Sequence, residues 1–71
     1  MNPASHRLIK NMCSTFFGIT LKDKEKDLLV SVFERSGGSW EKLFLGSADE
    51  INRMKKIITV AIKKGFIKRG D

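Results

Sequence analysis

Two scarcities narrow the chemistry open to this chain before any motif is considered. Its 71 residues include one cysteine and one histidine. Cys13 has no second cysteine to oxidise with, and His6 with Cys13 cannot supply a zinc-type ligand set. Lying next to Met12 and near Phe16, Cys13 reads as a small buried hydrophobe rather than a nucleophile. The lack of paired cysteines fits a reducing, intracellular compartment. Long apolar runs are missing too, since nothing approaches the roughly 20 residues a membrane span needs. The N-terminal MNPASHRLIKNMCSTFFG is interrupted by Arg7 and Lys10 and does not read as a signal peptide. A soluble, cytoplasmic protein with no membrane partner is expected.

Catalytic signatures are equally scarce. Gly37-Gly38 lacks the remaining spacing and the Lys-Ser/Thr of a phosphate-binding loop. His6 and Cys13 lie seven residues apart, roughly on one side of a helix, but no third group orients them. The few carboxylates sit on polar helical faces, without the apolar surroundings that raise a pKa for acid–base work. No enzyme and no cofactor are expected.

What the chain has is charge of one sign, unevenly placed. The net charge is +6. Residues 20–46 hold five basic and five acidic side chains, whereas 51–71 hold seven basic side chains against Asp71 alone. Such clustering is the electrostatic footprint of a phosphate-backbone binder, and also of a solvated lysine face that keeps a small protein in solution.

Apolar periodicity gives an all-α domain spanning 1–71, a compact bundle of four helices over about 3–17, 21–36, 40–45 and 48–64. Asn2-Pro3 reads as an N-cap with proline at the first helical position. Leu8, Ile9, Met12, Cys13, Phe16 and Phe17 form the first apolar stripe, ended by Gly18, with the two phenylalanines expected in the core. Thr20 is the expected cap of the second helix, whose stripe is Leu21, Leu28, Leu29, Val32 and Phe33. KDKEKD in its first turns reads as a solvated face with intrahelical ion pairs. Ser36-Gly37-Gly38 ends that helix. Ser39 caps a short third one, in which Trp40 and Phe44 can pack together. Residues 66–71 read as a short strand or a tail.

The fourth helix, SADEINRMKKIITVAIKKG, carries its own ends. Ser47 and Glu50 have capping-box spacing, and Gly65 suits the left-handed closing position. Asp49 and Glu50 lie at the positive end of the helix dipole, Lys63 and Lys64 at the negative end. Ile51, Met54, Ile57, Ile58, Ala61 and Ile62 face the core. At about 100° per residue, the opposite arc holds Asn52, Lys56, Thr59 and Lys63, flanked by Arg53, Lys55 and Lys64.

LFLGSADEINRMKKIITVAIKKGFIKRG resembles the second half of helix-turn-helix and winged-helix domains. In those a short helix, a Gly-containing turn and a longer recognition helix precede a phrase like Gly65-Phe66-Ile67-Lys68-Arg69. The resemblance covers about the last 30 residues. It implies DNA binding and transcription regulation. Arg53, Lys55, Lys56, Lys63 and Lys64 would neutralise phosphates, and Asn52 and Thr59 would read base edges. Lys68 and Arg69 would reach a flanking phosphate or a minor groove. The implied partner is nucleic acid, double-stranded DNA on this likeness, and such domains usually bind as homodimers. A reading of a different class makes the chain a protein-binding adaptor or inhibitor, for example a phage-type factor acting on host RNA polymerase or another host enzyme. There Phe16, Phe17, Trp40 and Phe66 would anchor an acidic protein partner.

Overall fold

The computed structural model describes residues 3–68. Among the described residues four α-helices are present: α1 (Pro3–Met12), α2 (Asp23–Arg35), α3 (Trp40–Phe44) and α4 (Ala48–Lys63). α1 runs on into a π-helical turn, Cys13–Phe17. The all-α small bundle expected from periodicity is therefore what forms. Among the described residues there is no strand, and no helix is long and apolar enough to cross a membrane.

α2 is the central element, packing α1 on one side and α4 on another, while α3 leans on α4. Ile9, Met12 and Cys13 meet Leu29, Val30 and Phe33 of α2 and Met54, Ile58 and Ala61 of α4 in one buried cluster. Lys26 pairs with Asp23 at 3.3 Å on the solvated start of α2, as its alternating charges suggest. His6 Nδ1 stands 3.6 Å from Asp27 Oδ1 across the seam between α1 and α2.

The π-helical turn changes the end of the first stripe. Its extra residue per turn breaks the 3.6 period on which both phenylalanines would point inward. Phe17 packs against the core, but Phe16 is 48% exposed. Gly18 then closes the turn with φ 64°, as its position implied.

The N-cap of α3 forms as expected, whereas those of α2 and α4 differ. Thr20 does not cap α2. Its N-cap is Lys22, whose backbone N–H donates to Glu25 Oε1 at 2.9 Å, and Leu21 is buried ahead of the helix. Ser39 does cap α3, its hydroxyl accepting from the Lys42 N–H at 3.3 Å. Ser47 makes no side-chain cap on α4. Glu50 turns instead to α3, where Oε2 accepts the Ser39 backbone N–H at 2.9 Å. The capping box is completed across two helices: Ser39 takes the donor three residues on, and α4 supplies the reciprocal carboxylate.

α4 ends in a Schellman arrangement. The Gly65 N–H donates to Ile62 O at 3.1 Å and the Phe66 N–H to Ala61 O at 2.9 Å. Gly65 has φ 81°, a value that costs a residue with a Cβ about 1–2 kcal/mol. This reversal returns the chain to the bundle and buries Ile67, 1% exposed. Ile67 is thus a core plug within the stretch expected as a strand or tail, whose last residues, 69–71, lie outside the described residues.

Trp40 stacks on Phe33 rather than serving only its helix neighbour Phe44, with ring centroids 4.5 Å apart at 54°. Phe44 is half exposed. Gly38 lies against the same Phe33 ring, and a Cβ there would come within 2.4 Å of Phe33 Cζ. Phe33 is fully buried and cannot yield. Gly38→Ala is expected to cost about 1–3 kcal/mol by overpacking, read as a lower urea midpoint with an unchanged slope.

Candidate nucleic-acid interface

α4 is held from two sides by α2 and α3, which fixes which arc faces outward. Met54, Ile58 and Ala61 are buried, with Ile51, Ile57 and Ile62 packed around them. Asn52, Lys56, Thr59 and Lys63 are exposed, as are Lys64 and Lys68. The stripe from Asn52 to Lys63 rises about 16 Å along the helix. Lys56, Lys63, Lys64 and Lys68 make no ion pair among the described residues, so their charges point outward uncompensated.

Two of the expected phosphate ligands are engaged by the fold. Arg53 donates from a terminal guanidinium nitrogen to Ser36 O at 2.7 Å, and its Nε lies 3.5 Å from Glu50 Oε2. It locks α4 to the end of α2 and is withdrawn from the outward stripe. Lys55 reaches the other way, with Nζ 4.1 Å from the centroid of the Phe16 ring. That cation–π contact is worth about 0.5–1 kcal/mol at a partly exposed site and pins Lys55 toward the π-helical turn. Arg69 lies outside the described residues.

The polar pair intended for base contacts differs internally. Asn52 is exposed on the second turn of α4 and shares a depression of about 320 Å³ with Asp49, Arg53 and Lys56. Asp49 brings a negative charge to that end, so the cationic part of the face begins at Lys56. Thr59 donates its hydroxyl to Lys55 O at 2.8 Å, which leaves the oxygen as an acceptor toward solvent.

The anchors named for a protein partner separate in the same way. Trp40 and Phe17 pack on the core, while Phe16 and Phe66 (58%) are exposed. Phe44, expected to pack with Trp40, is also exposed, as are Leu45 and Val60, which periodicity passed over. Val60 had a visible signal, because on the wheel it falls among polar residues, between Lys56 and Lys64.

Cys13 is inert at neutral pH: burial, with a smaller contribution from the Glu25 charge, pushes its thiol from 9.0 up to about 11. A thiol whose folded pKa is raised contributes stability that is intact below the unfolded value and lost as pH climbs through the folded one. Between pH 9 and about 11 the parent should therefore lose more stability than Cys13→Ala. Urea titrations of both across that window check this; parallel losses would contradict it. No group of three or more His, Cys, Asp or Glu among the described residues is placed to hold a metal ion.

Compared with known proteins, the chain matches no family model, no curated protein and no solved structure.

Proposed function

We propose that the chain is a small DNA-binding, transcription-regulating protein that uses the outward arc of α4. The observation that carries this reading is the run Lys56, Lys63, Lys64 and Lys68, all exposed and none in an ion pair among the described residues. Asn52 and Thr59 share that arc and have the hydrogen-bonding groups to read base edges. The order of α3, a tight turn at Gly46 and a longer α4 is the order the helix-turn-helix resemblance implies. α4 has 16 residues and is about 24 Å long, and its exposed arc is of a size to lie in a major groove about 12 Å wide.

Arg53 and Lys55 act indirectly here, by fixing α4 to α2 and to the π-helical turn. Phosphate contact then falls to about four lysines, for which the salt slope of log affinity should be near −3 to −4. Anisotropy titration of a fluorescein-labelled random duplex tests this. Binding should weaken about a hundredfold between about 50 and about 200 mM salt. A flat salt response, or no binding at the lower salt, would overturn the reading. Trp40 is a poor reporter for this titration, because it packs on Phe33 in the core and not on the α4 stripe.

A further inference from the structure

Beside the polar stripe, and sharing Lys56 and Lys64 with it, α4 presents a second arc that is apolar. Ile57 and Val60 face Val32 of α2 across a groove that forms two adjoining depressions, of about 250 and 310 Å³. Leu28 and Phe66 extend the apolar floor at one end. Val60 is 44% and Phe66 58% exposed, so this surface is open. The side chains along its rim are Arg35 and Lys64 at one depression and Arg53 and Lys56 at the other, with no carboxylate lining either. Arg35, Lys56 and Lys64 make no ion pair among the described residues.

We propose that the α2–α4 groove docks an amphipathic helix of a partner protein, whose apolar ridge is flanked by aspartate or glutamate. The groove runs along α4 from Arg53 to Lys64, about 16 Å, the span of an i, i+4, i+7, i+11 set of anchors on a partner helix. Charge selects the occupant. A second copy docked face to face by a two-fold would set the same cations against each other. A nucleic-acid backbone would satisfy the rim but gain nothing from Ile57, Val60 and Phe66. Acidic residues beside an apolar ridge satisfy rim and floor together, and the rim charges steer their approach.

The test uses a synthetic helical peptide of about four turns, with leucine at i, i+3, i+4 and i+7 and glutamate elsewhere. Two controls accompany it: the same peptide with lysine for glutamate, and a scrambled acidic peptide. Methyl NMR of the full chain should show the acidic amphipathic peptide shifting Val32, Ile57 and Val60, with both controls silent. Val60→Asn with Phe66→Asn should weaken that binding about tenfold or more while far-UV circular dichroism is unchanged. Should that variant misfold, Arg35→Glu with Lys64→Glu, at exposed positions, should turn the preference from the acidic to the lysine peptide. Equal binding of the scrambled peptide, shifts confined to residues outside the groove such as those of α1, or groove methyls that respond to duplex DNA but not to the peptide would each overturn the proposal.

Discussion

Glu50→Ala should destabilise the fold by about 2–4 kcal/mol, among the largest effects of any single substitution outside the apolar core. The carboxylate is 6% exposed and joins three segments. It accepts the Ser39 N–H that starts α3, and it stands beside Arg53, which holds the last turn of α2 through Ser36 O. Its removal leaves a part-buried N–H without an acceptor and a guanidinium without its counter-charge. Arg53 is 40% exposed, which lets water recover part of that loss. At roughly 0.05–0.15 kcal/mol per residue, a chain of this length has about 4–10 kcal/mol in total. The loss is a substantial fraction of that total, and the melting midpoint should fall by about 8–30 °C. Glu50→Gln retains a carbonyl for Ser39 and should lose about half as much. Thermal melts followed by circular dichroism separate the two. A Glu50→Ala melt matching the parent would mean the link between α3 and α4 carries little.

The second large effect concerns the stripe. Replacing Lys56, Lys63, Lys64 and Lys68 together by glutamine should reduce duplex affinity at low salt by at least about a hundredfold and flatten its salt dependence. All four are exposed, so the melting profile should hardly move. Net charge alone would also lower affinity, and a matched variant isolates the face. Arg7→Gln, Lys10→Gln, Lys24→Gln and Lys42→Gln remove the same charge from exposed positions outside α4. If the face matters, this second variant keeps most of the affinity; equal losses would reduce the effect to overall charge.

How much was legible in the sequence depends largely on how far away each residue's partner lies, with the α2 cap, two residues beyond Thr20 at Lys22, a local exception. Gly18 and Gly65 were readable because a left-handed closing residue is a local requirement, and Ser39 because its acceptor role reaches only to Lys42. Glu50 was assigned to Ser47 by spacing, yet its partner is Ser39, eleven positions back on another helix. Arg53 was placed on the binding face, but Ser36 O, seventeen positions away, captures it. Phe16 left the core because a π-helical turn shifted its angle, and no rule of 3.6-residue period anticipates that. Ile67 belongs to a stretch too short to show any period, and only the reversal at Gly65 brings it inside. The outward placement of Asn52, Lys56, Thr59 and Lys63 was legible because the apolar stripe opposite them is continuous.

The central claim, that α4 meets nucleic acid with this arc, is tested most directly by backbone-amide NMR of the chain titrated with a short random duplex at low salt. The account predicts shifts concentrated at Asn52, Lys56, Thr59, Lys63 and Lys64, with α1 and the first turns of α2 silent. Shifts centred on Phe16 and Arg7, or spread evenly over every lysine of the chain, would contradict it.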